Sequence, residues 1–568
     1  MVNPILEVKQ ECRNLVNAAL QAATASGALM EADAPQFNVE IPADVSHGDL
    51  STNVAMVSAR VYRKSPKMIA DAIVAAMNLD GSSFEKVEVA GPGFINFFLG
   101  RKWFSEDVLN VLREGDDYGR TDFGAGKRML VEFVSANPTG PMHIGNARGG
   151  AIGDTLASVL DWAGYEVNRE FYINDAGNQI NKFGLSLSMR YLQVCEGQEG
   201  SPDDNYMPED SYHGQDIIDH AKAFYAIHGD AYKDCSEEDR RKALVDYALP
   251  LNIEGLERDL LRYRIKYDRW FKESSLHESG EAAKVVDMLT EKGYTYESEG
   301  AIWFKATDFG ADKDFVLKRS NGFFTYVVPD IAYHYNKLVT RGYDKAIDVL
   351  GADHHGYVPR LKAALQALGV DPDRLDVVLM QMVRLVRGGE VVKLSKRSGK
   401  AITLVTLLDD IPIDAARFFF NLREANSQFD FDLDLAVEQT SSNPVYYVQY
   451  AHARICSIMN KLKAEGIEPR EVTVDDLNRL TTPEETELIR RIAQFPNELV
   501  DAAKVYDPAR ITRYSTELAT LFHKFYNACK VIGEDEPLMQ ARIALCMATR
   551  TTLRNALAVL NITAPESM

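Results

Sequence analysis

Met129-Leu130-Val131-Glu132-Phe133-Val134-Ser135-Ala136-Asn137-Pro138-Thr139-Gly140-Pro141-Met142-His143-Ile144-Gly145-Asn146 is the stretch whose reading decides the fold. Its first six residues are apolar apart from Glu132, a run short enough for a strand buried on both faces. Pro138, Gly140 and Pro141 then interrupt regular structure, and Asn146 to Ala163 follows as a helix rich in small residues, stopped by Gly164. Glu166 to Ile173 reads as the next strand. Strand, loop, helix and strand in that order predict an α/β, doubly wound parallel sheet of Rossmann type. In such a sheet the unpaired N–H groups at the helix start, next to a small Gly, form a place where a phosphate approaches closely. His143 stands at that mouth, where its ring can donate a hydrogen bond to a phosphate.

Outward from this core the chain divides into three. Residues 1–115 read as an α+β unit: a helical pattern from Ile5 to Ala25, then two short strands between Lys86 and Leu99 broken at Gly91-Pro92-Gly93. Residues 116–414 carry the βα pattern, interrupted at about 196–248 by a polar, charged stretch that reads as an insertion packed outside the sheet, and resuming around Gly300. From about Ala415 to residue 568 helical periodicity dominates, which predicts an all-α domain. A length of 568 residues exceeds what one core supports and agrees with this division. No apolar run reaches the roughly 18 residues of a membrane span, and the start lacks a signal pattern, so the expected compartment is the cytosol. The six cysteines include no C-x-x-C pair, which leaves a zinc site without support. A net charge of −20 argues against non-specific coating of nucleic acid but permits a local basic groove.

Such a groove is signalled between Arg384 and Lys400, where six cations face the single acid Glu390. Within it lies Lys393-Leu394-Ser395-Lys396-Arg397-Ser398-Gly399. Two lysines around a Ser in a Gly-bounded loop can wrap a triphosphate and neutralise charge as pyrophosphate leaves. Asp353-His354-His355 is read as a turn lining the nucleotide pocket rather than a metal site, since adjacent residues rarely bind one ion together.

Taken together and in this order, His143-Ile144-Gly145-Asn146 and Lys393-Leu394-Ser395-Lys396 resemble the HIGH and KMSKS motifs of class I aminoacyl-tRNA synthetases. Further stretches resemble the arginyl-tRNA synthetase family: Val131 to Pro141, Tyr172 to Gln179, Asp330-Ile331-Ala332-Tyr333-His334, Gly351 to Tyr357, and Asn443 to Arg454. Ser46 to Leu50, Gly91 to Asn96 and Ala564-Pro565-Glu566 fit as well. Two positions depart from the pattern: Asn146 replaces the final His of HIGH, and Leu394 the usual Met of KMSKS. Asn donates a hydrogen bond but carries no charge, and Leu for Met nearly conserves volume.

The resemblance implies an enzyme that ligates L-arginine to tRNA(Arg) through an arginyl-adenylate, with ATP and its Mg²⁺ as the only metal, transfer to the 2′-OH of the terminal adenosine, and activation that requires bound tRNA. It implies a monomer. His143, Asn146, Lys393 and Lys396 are the implied catalytic set, and the nucleotide site adds Pro138, Thr139, Gly140, Gly145, Asp353, His354, His355 and Ser395. Glu132, Ser135, Asn137, Tyr326, Asp330 and Asp353 are the implied arginine contacts. A guanidinium, with five N–H donors, calls for carboxylates able to accept in pairs. Tyr447, Tyr450, Ala451 and Arg454 fall on one face of a helix, which, exposed, would stack bases of the anticodon; Tyr446 reads as core. Phe94 and Asn96 resemble the contact to the outer corner of the tRNA. Three other readings stay open at this level: a cysteinyl or methionyl synthetase, a small-molecule nucleotidyltransferase, and a non-catalytic tRNA-binding relative.

Overall fold

Residues 3–202, 204–392, 402–533 and 535–568 are described by the computed structural model. Five parallel strands form the central sheet, in the spatial order Leu375–Met380, Lys345–Gly351, Arg128–Phe133, Glu166–Ile173 and Arg269–Lys272. Arg128–Phe133 takes the middle place because Met129 to Phe133 are all buried and need cover on both faces. The chain runs from this strand to one side of the sheet and later returns to its other side. The change of direction opens a crevice at the carboxyl ends of Arg128–Phe133 and Lys345–Gly351. The helix Ile144–Trp162 packs back onto the sheet so closely that a Cβ on Gly153 would lie 2.2 Å from the Phe133 ring.

The polar insertion is larger than its composition suggested. Helices Gln215–His228 and Glu237–Arg262 pack with the preceding helix Gly177–Cys195 around Phe183, Leu187, Tyr191, Ile217, Phe224 and Leu244. The apolar face of Gly177–Cys195 needs that cover, so the unit begins before residue 196 and ends beyond 248. Between residues 295 and 318 an antiparallel three-stranded sheet stands apart from the parallel one, where continued βα alternation was expected.

At the N-terminus a helix, Pro4–Ala25, and a four-stranded antiparallel sheet form the α+β unit, with strands Phe84–Ala90 and Phe94–Leu99 parted at residues 91–93 as the sequence indicated. After residue 413 the chain is helical except for Phe429–Asp432, which pairs in parallel with Val383–Arg387. Its Phe-Asp-Phe-Asp alternation is the period-2 pattern of a half-buried strand, overlooked inside a helical region. Among the described residues no helix is long and apolar enough to cross a membrane.

Arg417 ties the catalytic and C-terminal parts together. Fully buried, it donates to Asp154 Oδ2 (2.5 Å), to the Leu560 carbonyl (2.9 Å) and to the Tyr263 carbonyl (3.1 Å). Removing one member of a buried ion pair leaves the other charge uncompensated, at a cost of about 3–5 kcal/mol. Arg417→Met is therefore expected to lower the midpoint of the first thermal or denaturant transition sharply, while a surface change such as Arg258→Met leaves it in place. Coincident melting curves for R417M and the parent would remove Arg417 from this role.

Candidate active site

The crevice at the reversal of the sheet is a cleft of about 590 Å³. Its floor begins where the middle strand ends. Val134 and Ser135 both have positive φ, +68° and +39°, a conformation that costs a β-branched residue in particular. Two side-chain bonds hold this corner: Ser135 Oγ donates to Glu132 Oε1 (2.8 Å) and accepts from the Tyr172 N–H (3.1 Å).

Beneath the floor lies a buried ionic cluster. Lys337, with no exposed surface, donates to Glu132 Oε2 (2.5 Å) and Asp348 Oδ1 (2.9 Å). His334 Nε2 lies 2.6 Å from Asp348 Oδ2, and its Nδ1 2.7 Å from the Asp330 carbonyl. Burial alone would lower the Lys337 ammonium. Asp348, Glu132 and Glu170 outweigh it and raise the group instead. Burial likewise opposes the charge of Asp348, yet Lys337 and His334 hold its carboxyl well below the usual range. Glu132, His334 and Asp348 bring ligand-type atoms within 4.8 Å of one another. The Lys337 ammonium already supplies the cation between Glu132 and Asp348, so a metal ion is not needed there. Lys337 sits in a widened π turn, Asn336–Thr340, that follows helix Val327–Tyr335; such turns recur at functional sites.

Asp330, in the first turn of that helix, faces the cleft. One of its oxygens accepts from Tyr357 Oη (2.5 Å). Burial pushes its carboxyl up to about 6, helped by Glu132 and Glu273 and opposed by the Tyr357 hydrogen bond and by His334. Tyr326, four residues earlier and at the helix cap as expected, is 71% exposed and lies at the cleft's outer edge, its ring 6.0 Å from that of Tyr357.

At the opposite wall His143 caps helix Ile144–Trp162: its Nδ1 accepts from the Gly145 N–H (3.2 Å), and its own N–H donates to Asn146 Oδ1 (3.0 Å). Asn146 thus completes a reciprocal cap, a task the sequence did not announce, and its Nδ2 is the part of the side chain suited to address an anion. Arg148, one turn on and wholly buried, donates to the carbonyls of Gln381 (2.6 Å), Ser427 (3.0 Å) and Glu424 (3.1 Å), with the Phe429 ring 5.1 Å away. Burial pushes its guanidinium down to about 10.

Glu132, Ser135, His143, Gly145, Asn146, Asp330, Asp353 and His354 all line the one cleft. Asn137, Pro138, Thr139, Gly140, Tyr326 and His355 do not. Pro138 and Thr139 are buried on the side of the loop that meets the insertion, and His355 is turned to solvent. Lys393, Ser395 and Lys396 lie outside the described residues. On their C-terminal side, Thr403 bridges His143 and the Leu404 N–H donates to the Met142 carbonyl (2.9 Å). Lys337, Asp348, Tyr357 and Arg148 were not singled out from the sequence. Only Asp348 carried a signal there, as a lone carboxylate inside an apolar strand.

Two further surfaces bear on the other sequence expectations. On helix Pro444–Ala464, Tyr446 stacks on Tyr450 at 6.1 Å, Tyr447 meets His523 at 4.9 Å, and Arg454 lies 5.0 Å over Tyr450. Tyr446, expected in the core, shares this half-exposed face, whereas Ala451, expected on it, is fully buried. Phe94 (39% exposed) and Asn96 (4%) border an N-terminal cleft of about 680 Å³, where Asn96 Oδ1 accepts from Ser51 Oγ (2.8 Å).

Comparison with known proteins matches three family models in succession: the arginyl tRNA synthetase N terminal domain over residues 10–99, the catalytic domain of tRNA synthetases class I (R) over 107–457, and the DALR anticodon binding domain over 448–568. The arginine–tRNA ligase of Caldanaerobacter subterraneus is 56% identical, and that of Acetivibrio thermocellus 50%, each covering 100% of both chains. The solved arginyl-tRNA synthetase of Thermus thermophilus has the same fold, with a TM-score of 0.74 at 23% identity over 98% of this chain and 100% of that one. With three family models matched in order and full-length relatives 50% and 56% identical, the chain belongs to the arginyl-tRNA synthetase family of class I.

Proposed function

We propose that this chain ligates L-arginine to tRNA(Arg) at the cost of ATP. The observation that carries this reading is a shared cleft: the capped helix start at His143–Asn146, suited to phosphates, faces the half-buried Asp330 carboxylate, suited to a guanidinium. ATP enters as its magnesium complex. The arginine carboxylate attacks the α-phosphorus, forming arginyl-adenylate as pyrophosphate leaves; the 2′-OH of the terminal adenosine then attacks the acyl carbon and AMP departs. No covalent enzyme intermediate is required, so the protein contributes positioning and charge. His143 and the Nδ2 of Asn146 address the phosphates, and Lys393, Ser395 and Lys396 close over the pyrophosphate. Asp330 and Tyr326 take the guanidinium, with Ser135, Asn137 and Glu132 at the α-amino end and Asp353 at the rim.

Residues 1–115 would meet the outer corner of the tRNA through Phe94 and Asn96. Residues 415–568 would read the anticodon, with Tyr447, Tyr450 and Arg454 as stacking and phosphate contacts. The enzyme so assembled acts as a monomer, without zinc, in the cytosol where charged tRNA is consumed.

Charging assays with each amino acid in turn are expected to load arginine alone, and efficient loading of cysteine or methionine would refute the reading. Lys396→Ala should slow activation far more than it changes arginine affinity; unaltered turnover would take Lys396 out of the mechanism. Because Asp330 must be ionised to hold a guanidinium, kcat/KM for arginine should fall as pH drops through about 6. Asp330→Asn should lower that ratio about a hundredfold at pH 8 and abolish the acid limb. An identical acid limb in D330N would assign it to another group. ATP–pyrophosphate exchange should require tRNA, and full exchange without it would contradict this part of the reading.

A further inference from the structure

The insertion reaches the phosphate loop through one relay of side chains. Asn252, on helix Glu237–Arg262, donates from Nδ2 to the Pro138 carbonyl at 2.9 Å, across 114 residues of chain. Its Oδ1 lies 2.7 Å from Nε2 of His220, on helix Gln215–His228. A carbonyl only accepts, so the Asn252 amide must turn its nitrogen toward Pro138. Its oxygen then faces His220, whose Nε2 must carry the hydrogen. On the same side Asp216 closes over Gly140: a Cβ built on that glycine would lie 3.5 Å from Asp216 Oδ2. Pro138 and Gly140 stand five and three residues before His143, in a loop that prolines and glycine leave without a hydrogen-bond ladder of its own.

We infer that the insertion is a positioning clamp for the phosphate loop, with Asn252 the residue that holds Pro138 and His220 the residue that orients Asn252. It rests on the proposal that this loop and His143 take ATP. The clamp acts chiefly on the nucleotide, because of the proposed arginine contacts only Asn137 adjoins Pro138, while Glu132, Ser135, Tyr326 and Asp330 lie away from the insertion's relay. Restricting the loop before ATP arrives means that binding need not order it, which favours ATP affinity.

Steady-state charging of tRNA separates the possibilities. Asn252→Asp keeps the shape and loses the donor; His220→Leu frees the amide to turn; His220→Gln returns a donor near the Nε2 position. Loss of one such hydrogen bond corresponds to about tenfold. N252D and H220L are expected to raise the KM for ATP by about tenfold, with the arginine KM unchanged and H220Q close to the parent. An unchanged ATP KM in N252D overturns the clamp, as does a parallel rise in both KM values or an H220Q as impaired as H220L. Should N252D fail to fold, the H220L and H220Q pair gives the same decision. His143→Ala reports on the underlying reading: no effect on ATP use there sinks the site itself, whereas an impaired H143A beside an intact N252D sinks only the clamp.

Discussion

One buried ammonium organises the residues around the cleft. Lys337 links Glu132 on the middle strand to Asp348 on its neighbour, and through Asp348 it fixes the ring of His334. Without it, two carboxylates would share a dry space, and one would have to take up a proton. With it, the two strands whose carboxyl ends frame the cleft are joined by charge-assisted bonds as well as by the sheet. The Asp330 carboxyl faces the cleft from outside this cluster, raised by its burial to about 6.

The two walls of the cleft are made rigid by different means. At one wall a strained corner, Val134–Ser135, is held by the Ser135 hydroxyl bridging Glu132 and the Tyr172 backbone. At the other wall a reciprocal cap between His143 and Asn146 sets the start of the helix, while Arg148 draws in three carbonyls from segments more than two hundred residues away. A buried guanidinium bonded only to neutral acceptors and an aromatic face gives up part of its solvation. Its five donors in a fixed fork explain why Arg stands there rather than Lys.

Much of this was legible in one dimension. The strand, loop and helix around residues 129–163 announce themselves by apolar run, proline and glycine, because those signals act within a few residues. Glu132, Ser135, His143, Asn146, Asp330, Asp353 and His354, implied by the resemblance of their motifs to the family's, meet in one cleft. Phe429–Asp432 was missed because four residues of alternation are too short to stand out between helices. The insertion's true extent was missed because an apolar helix face does not say what will cover it.

Length, patterning and the order of motifs decided the fold class and the kind of chemistry, since each depends on local propensity or on residues near in sequence. Tertiary structure alone decided which charges face the cleft and which neutralise one another. Lys337 is an ordinary helix lysine until a widened turn carries it between Glu132 and Asp348, and Asn252 a solvent-facing amide until the insertion lays it against Pro138. The Lys337–Glu132 and Asn252–Pro138 pairings join residues 205 and 114 positions apart, and their energies depend on burial that no local window contains.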